Sequence, residues 1–129
     1  MGMVSFEAFR TVDGTPVYLQ IINFIKRGAI AGTIRDGDEL PSRRVLSALL
    51  GINPNTVQKA FHMLEEEHLM ESRTGAKSCM TLPPDTLDAL RREVLSDELR
   101  AMARTLRQLG ISREEALRLI EQAWKEEER

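Results

Sequence analysis

Apolar residues in the first half of the chain recur at helical spacing in three separate stretches. The first stretch, TPVYLQIINFIKRGAIAG, predicts an amphipathic helix because its apolar residues return every three or four positions: Tyr18, Ile21, Ile22, Ile25 and Ala29. Thr15 is the predicted N-cap of this helix, and Pro16 suits its first position. The helix is expected to end near Gly32.

The second stretch follows the polar segment RDGDELPS, in which residues 35–38 predict a turn. Ser42 is the expected N-cap of a short helix with the sequence RRVLSALL. This helix is predicted to stop at Gly51, since glycine is common just past a helix C-terminus. Its predicted buried residues are Val45, Leu46 and Leu49.

The third stretch begins almost at once, with Asn53 as the expected N-cap and Pro54 in the first helical position. Its predicted buried stripe is Val57, Ala60, Phe61 and Leu64. The short link at residues 51–53 outlines a helix-turn-helix. The opposite side of the third helix carries Asn55, Gln58, Lys59 and His62. Such side chains hydrogen-bond base edges or phosphates in a major groove, so this side is a candidate nucleic-acid surface.

The segment after the third helix, HLMESRTGAKSCMTL, predicts two short strands around a turn at residues 74–77. In a winged helix, such a hairpin lies beside the third helix, and its tip here would carry Arg73 and Lys77. The predicted face then carries five cations: Arg43, Arg44, Lys59, Arg73 and Lys77. The glutamates at 65–67 stand at the far end of the third helix, where they are expected to lie away from bound DNA.

The location of the charged residues says more about nucleic-acid binding than the net charge does. The chain has 129 residues, enough for one ordinary domain, and 42% of them are apolar, as in soluble globular proteins. Residues 1–80 contain nine Lys or Arg and nine Asp or Glu, and residues 81–129 contain nine and eleven. Binding to nucleic acid therefore requires the positive charge to be concentrated on one surface.

Candidate catalytic and metal chemistry is weak in this sequence. His62, His68, Cys79 and the acidic residues lack the spacing of a triad, a metal site or a phosphate loop. We therefore expect no enzyme, no metal and no cofactor. No apolar run of about 18 residues and no signal-peptide pattern occurs, which predicts a cytoplasmic protein without membrane association.

A second region begins at Leu82-Pro83-Pro84, where the prolines predict a break. The predicted domains are accordingly residues 1–81 and a helical tail at residues 82–129. Helical spacing in the tail starts near Leu87 and runs to Gly110.

A last helix is predicted after Ser112, which with Glu115 forms a capping box. Two helices of this length cannot enclose a core, so their apolar sides are expected to pack against a second copy in a symmetric homodimer. The predicted dimer-interface residues are Leu95, Leu99, Met102, Leu106, Leu109, Leu117, Ile120 and Trp124.

The motifs in residues 15–81 together resemble the winged-helix domain of the GntR family of bacterial transcription regulators. They are PVYLQIINFIKRGAI, then GDELPSRRVLSALLGINPNTVQKAFHMLEEEHLM, then a glycine-containing wing. The resemblance implies a mostly α fold with a small β-hairpin, in which a winged helix-turn-helix precedes a two-helix dimerisation tail. The tail is too short for a large effector domain, as in the short YtrA-like branch of the family.

Matching positions carry the family's roles onto this sequence. The resemblance implies that Ser42 and Arg44 grip phosphate or the groove edge, and that Gly75 lets the wing backbone approach the minor groove. It also implies base or phosphate contacts at the start of the recognition helix, from Asn53, Asn55, Thr56 and Gln58. Arg43, Lys59 and His62 join this set from helical geometry alone.

Three positions depart from the family pattern. Asp36 replaces a common proline, His68 replaces a usual glycine, and the wing reads GAKSCM in place of a two-glycine form. His68 is expected to be a helix-end residue whose partial positive charge suits the helix dipole.

The expected function is sequence-specific transcription regulation, as a repressor that binds an inverted-repeat operator in double-stranded DNA as a homodimer. The apolar residues of the tail are more typical of packing than of a ligand site, and the sequence identifies no small-molecule effector. The alternative is a winged-helix protein-interaction module without specific DNA binding, which would require an apolar exposed face on residues 55–62.

Overall fold

The computed structural model describes residues 2–73 and 77–129, with only the backbone of Arg73 included. The helices in this part of the chain are α1 (Val17–Ala31), α2 (Arg43–Leu50), α3 (Pro54–Glu66), α4 (Pro84–Gln108) and α5 (Arg113–Glu127). The strands are β1 (Glu39–Leu40), β2 (Met70–Arg73) and β3 (Lys77–Met80). The predicted mostly α class with a small β element is confirmed.

The chain divides into two compact units, Met1–Leu90 and Arg91–Arg129. The predicted boundary at residue 81 lies nine positions earlier, because the first unit also includes the start of α4, where Leu90 is only 5% exposed. Burial of Leu90, and of Leu82 just before the helix, accompanies this assignment.

The core of the first unit lies around α3, which packs against α1, α2 and β2. Its largest fully buried side chains are Phe61, Ile21, Ile25, Leu46, Leu64 and Val57. The predicted buried stripe of α3 is confirmed, and on α1 the buried positions are those expected from the spacing except Tyr18, which is half-buried. This packing fixes which side of α3 faces outward.

The sheet has three antiparallel strands in the order β1-β3-β2. The hairpin of β2 and β3 was predicted, and its register pairs Met70 with Met80 and Arg73 with Lys77. Strand β1 was missed, because two residues are too short to show an alternating pattern. Its pairing with β3 places Glu39 opposite Cys79.

Two details of the helices correct the sequence prediction. Helix α1 begins one residue later than expected, because Pro16 occupies the N-cap position with an extended ψ of 137°. Thr15 is therefore not the N-cap; the Pro16 carbonyl instead accepts hydrogen bonds from Leu19 N and Gln20 N at 3.1 and 3.2 Å.

The second correction concerns the buried side of α2. Leu46 is buried as predicted, but Val45 is 50% exposed and Leu49 is 68% exposed. Ser47 is buried next to Leu46 instead, and its hydroxyl donates to the Arg44 carbonyl at 3.0 Å. A helix of eight residues presents only about two turns, so one side contacts α3 and the other apolar residues stay outside.

The segment before α1 packs onto the first unit, which the sequence analysis did not predict. Val4, Phe6 and Phe9 are buried, and the rings of Phe6 and Phe9 lie 5.3 and 5.4 Å from that of Phe24 on α1. The side chain of Gln20 binds the backbone of Val12 through two hydrogen bonds of 2.9 Å, and donates to the Thr15 carbonyl at 2.7 Å. We call residues 2–12 the N-terminal arm.

The second unit contains most of α4 and the whole of α5, joined at Gly110, whose φ of 77° suits glycine. Ser112 Oγ accepts a hydrogen bond from Glu115 N at 3.2 Å, which confirms Ser112 as the N-cap of α5. Within residues 91–129 no side chain is classed as buried. The apolar residues of this unit are therefore at least partly exposed within a single chain.

Candidate nucleic-acid interface

The helix-turn-helix is shaped by side chains that complete the helix ends. Ser42 Oγ accepts from Val45 N at 3.1 Å, and Asn53 Oδ1 accepts from Asn55 N at 2.8 Å. Gly51 ends α2 in the left-handed conformation with a φ of 65°. Both caps use acceptor oxygens, so the Ser42 hydroxyl hydrogen and the Asn53 amide N–H groups can still donate to a ligand.

The outward side of α3 is polar, as the sequence predicted. Between residues 55 and 62 its exposed residues are Asn55, Gln58, Lys59 and His62. Thr56 is half-buried, so it presents less of its side chain than the other candidates at the start of the helix. Amide side chains can form paired hydrogen bonds with adenine in the major groove, and the cations suit phosphates. The surface thus combines both kinds of contact on one helix.

Acidic residues lie closer to this surface than the sequence suggested. Glu65 Oε1 lies 3.8 Å from the Arg43 guanidinium and accepts from the Ser72 hydroxyl at 3.0 Å. Glu66 Oε1 lies 2.7 Å from His62 Nε2, one helical turn back along α3. These two glutamates therefore contact Arg43 and His62 of the candidate set, while the expectation that they lie away from bound DNA stays a prediction. Glu67 instead pairs with Lys26 at 2.8 Å.

The cations differ in how strongly they are engaged. The Lys59 ammonium lies 4.0 Å above the Tyr18 ring on α1, a cation–π contact that fixes its direction. Lys77 lies 3.7 Å from Glu39 on β1. Arg44 is exposed and forms no ion pair with any described residue. Arg44 is therefore the cation of this set that is most freely available to a phosphate.

The wing is built by the β2–β3 hairpin, and Lys77 is exposed at the start of β3. The side chain of Arg73, and Gly75 with its neighbours at 74 and 76, lie outside the described residues. The predicted wing contacts of Arg73 and Gly75 therefore stay predictions.

Sequence reasoning missed Tyr18, Glu39 and Glu65 as neighbours of the candidate cations. Tyr18 was assigned to the buried stripe of α1, and β1 gave no signal from which Glu39 could be placed. The His62–Glu66 pair did carry a signal, because residues four apart on a helix are neighbours.

Other kinds of site find little support in the described structure. Within residues 2–73 and 77–129, no three His, Cys, Asp or Glu side chains are grouped as a metal site would require. Of the helices described, none combines the length and the apolar character needed to cross a bilayer.

Comparison with known proteins identifies the domain. The sequence model of the family described as "Bacterial regulatory proteins, gntR family" matches residues 17–77. This domain belongs to the GntR family. The match contains α1, β1, α2, α3 and β2, and α3 occupies the position of the recognition helix in a winged helix-turn-helix.

Two relatives from Bacillus subtilis (strain 168) match this chain with different identities and over different lengths. The chain is 28% identical over 102 residues to the uncharacterised HTH-type transcriptional regulator YhcF, covering 79% of this chain and 84% of that protein. It is 43% identical over 63 residues to the HTH-type transcriptional repressor YtrA, covering 49% of this chain and 48% of YtrA. The match to YtrA thus spans about half of that relative.

A solved structure extends the likeness over most of the chain. A GntR family transcriptional regulator from Listeria monocytogenes has a TM-score of 0.80 at 27% identity, covering 87% of this chain and 98% of that chain. The resemblance to a short, YtrA-like GntR regulator that the motifs indicated is confirmed.

The two departures from the GntR pattern that can be described have structural explanations. Asp36 Oδ1 accepts a hydrogen bond from Leu82 N at 2.7 Å, which ties the turn before β1 to the segment after β3. His68 has a φ of 62°, in the left-handed region where glycine is favoured. The usual glycine is thus explained by the backbone conformation that ends α3.

Proposed function

We propose that this chain is a sequence-specific DNA-binding transcription regulator that acts as a homodimeric repressor on an inverted-repeat operator. The observation that carries the proposal is the exposed polar side of α3, at the recognition position of a GntR winged helix. Buried packing of Val57, Phe61 and Leu64 holds that side outward. A helix so fixed can present its side chains to a major groove without rearranging the domain.

The candidate residues divide by the contacts that their chemistry allows. Asn55 and Gln58 are proposed to read base edges, since amides offer a donor and an acceptor together. Asn53 and Thr56 are proposed to contact bases or phosphates, and Gly75 is proposed to let the wing backbone approach the minor groove. The remaining proposed contacts are to phosphate or the groove edge, from Ser42, Arg43, Arg44, Lys59, His62, Arg73 and Lys77. Arg43, His62 and Lys77 must exchange an acidic neighbour for a phosphate, whereas Arg44 need not.

Dimerisation is supported by the exposed apolar residues of α4 and α5. Within one chain Leu99 is 60% exposed, Leu117 is 60% exposed and Trp124 is 69% exposed. An open apolar hollow of about 680 Å³ lies among Leu99, Met102, Leu119, Ile120 and Trp124. Soluble proteins rarely leave such surfaces bare, and the same helix pair from a second copy has a matching apolar side.

Repression of transcription is a more specific proposal than DNA binding. YtrA, which is 43% identical to this chain over 63 residues, is named a transcriptional repressor. A dimer on an operator can block transcription by occupying DNA that the polymerase needs, without any further activity. Such a regulator would act in the cytoplasm, where bacterial DNA is transcribed.

A protein-interaction function has one observation in its favour. Val45 and Leu49 on α2 are exposed and, with Met3 and Phe9 of the N-terminal arm, line an open hollow of about 680 Å³. An apolar exposed face on residues 55–62 of α3 would argue against DNA binding, but the exposed side of these residues is polar. We therefore prefer DNA binding as the main function.

Selection of bound fragments from a random DNA pool tests the proposal. We expect the full chain to enrich one inverted-repeat sequence whose half-sites lie about one helical turn apart, because a two-fold dimer presents two equal recognition helices. Enrichment without any shared sequence would contradict base-specific reading, and a direct repeat would contradict the two-fold arrangement.

A further inference from the structure

Positive charge is concentrated in the part of the tail where α4 ends and α5 begins. The whole chain has a net charge of -2, yet residues 99–113 contain no Asp or Glu. The cations in this segment are Arg100, Arg104, Arg107 and Arg113. The segment is thus locally basic within an acidic protein, which favours a local polyanion contact.

Three of these arginines form one stripe on α4. Arg100, Arg104 and Arg107 follow the i, i+4, i+7 spacing that places residues on the same side of a helix. All three are exposed, and none forms an ion pair with a described residue. On α5, by contrast, Lys125 lies 3.6 Å from Glu121. We call Arg100, Arg104 and Arg107 the arginine stripe.

The arginine stripe and the apolar stripe of α4 lie on different sides of the helix. At about 100° per residue, Arg100, Arg104 and Arg107 centre roughly 140° away from Leu95, Met102 and Leu106. A dimer that buries the apolar residues would therefore leave Arg100 and Arg104 outside the apolar contact. Arg107 also lines the apolar hollow beside Leu106, so it lies at the edge of that contact.

We propose that the arginine stripe binds the phosphate backbone of double-stranded DNA, as a second contact separate from the winged helix. This inference rests on the proposed DNA-binding function. Guanidinium groups match phosphate oxygens with paired N–H donors. The stripe is about 10 Å long. Over this length of the duplex axis, one strand of B-DNA presents about three phosphates.

The winged helix makes DNA the favoured polyanion. The tail is covalently linked to α3, so a chain bound through α3 needs no second bimolecular association to contact the same DNA, and even a weak contact adds to affinity. The contact involves phosphates alone and should not depend on sequence. An acidic protein surface would lack this linkage, and the test below distinguishes it from DNA.

The test compares three variants of the full chain on a random-sequence DNA duplex several helical turns long, titrated over a range of salt concentrations. The stripe variant is R100Q/R104Q/R107Q, with glutamine chosen because it keeps helix propensity. The matched control, R118Q/K125Q/R129Q, removes three cations from α5. A third variant, R100K/R104K/R107K, keeps the charge of the stripe. Circular dichroism and sedimentation verify that each variant keeps its helices and its oligomeric state.

We expect the stripe variant to lower the magnitude of the log-log salt slope by about 2 to 3 per protomer, since each phosphate contact contributes about 0.9. The α5 control should change the slope by less than about 1, and the lysine variant should stay close to the parent. A stripe variant that matches the α5 control overturns the inference and leaves the proposed function standing. A parent chain that binds neither this duplex nor any selected sequence overturns both.

Discussion

At the residue scale, the exposed side chains of α3 include two neutral amides, Asn55 and Gln58, and the cation Lys59. Asn55→Ala or Gln58→Ala should cost about 1 to 3 kcal/mol of binding free energy on the selected operator and much less on random DNA. The reason is that an amide reads a base edge, which differs between sequences. Titration of both DNAs by fluorescence anisotropy measures the two losses.

Arg44→Gln is the matched comparison, because Arg44 is exposed without an acidic neighbour among the described residues. It should weaken binding to both DNAs about equally, as expected for a phosphate contact. Equal losses on both DNAs for the Asn55 and Gln58 variants would show that they touch only phosphates.

His68 presents a separate residue-scale case, which concerns stability. Helix α3 ends with Leu69 N donating to the Leu64 carbonyl at 2.9 Å and His68 N donating to the Glu65 carbonyl at 3.0 Å. This hydrogen-bond pattern requires residue 68 to adopt the left-handed conformation, which glycine adopts without Cβ strain. We expect His68→Gly to raise the free energy of unfolding by up to about 1 kcal/mol.

Urea denaturation of the parent and of His68→Gly measures this change. The control is Gln58→Gly, which places glycine at an exposed interior position of α3 and should destabilise by up to about 1 kcal/mol. Loss of stability in both variants would mean that the left-handed conformation at residue 68 is not strained for histidine.

At the element scale, the N-terminal arm is held to α1 by one polar side chain as well as by its phenylalanines. Gln20 makes two hydrogen bonds to Val12 and one to the Thr15 carbonyl. Gln20→Ala should lower the free energy of unfolding by about 1 to 2 kcal/mol, since each such bond contributes about 0.5 to 1.5 kcal/mol net. The Val12 amide should also lose protection against hydrogen exchange.

Asn23→Ala provides the control, because Asn23 is an exposed residue of the same helix. Its effect on stability and on Val12 exchange should be small. If both variants leave Val12 equally protected, the Gln20 side chain is not what holds Val12 in place.

The elements that could be predicted are those with a repeated apolar spacing. Helices α1 and α3 each carry four buried residues at such spacing, and the same spacing predicts which positions face outward. The N-terminal arm has no repeat, and β1 has two residues, so neither produced a pattern. On the short α2, three apolar positions could not all face the core, and the periodicity did not say which would stay outside.

The candidate site was predictable in composition but less so in electrostatics. Exposure of Asn55, Gln58, Lys59 and His62 followed from the buried stripe of α3. The ion pair between Arg43 and Glu65 joins two helices, so it depends on their packing and not on local spacing. Long-range pairs of this kind explain why an apparently free cationic face is partly neutralised.

At the scale of the whole molecule, the two units differ in how completely one chain can fold them. The first unit has its own core around Ile25, Leu46 and Phe61, each no more than 1% exposed. Residues 91–129 have no comparable core within one chain. Dimerisation would therefore supply the missing packing of the tail and, through it, join two recognition helices.

The proposed dimer predicts that the tail and the winged helix can be uncoupled by mutation. Replacing Leu106 and Ile120 with glutamine should convert the dimer to a monomer, because both lie on the apolar sides of α4 and α5. The winged helix should stay folded, since its core lies elsewhere. Binding to the full operator should weaken toward that of a half-site, because the second half-site is no longer offered at high effective concentration.

Sedimentation and operator titration of the double variant measure the two effects, with Gln108→Ser and Gln122→Ser as the control on the exposed positions of the same helices. The control should stay dimeric and bind as the parent does. A Leu106 and Ile120 variant that sediments as a monomer yet binds the full operator as tightly as the parent would separate dimerisation from DNA binding. The tail would then need another role, because its apolar residues would no longer explain how two recognition helices reach one operator.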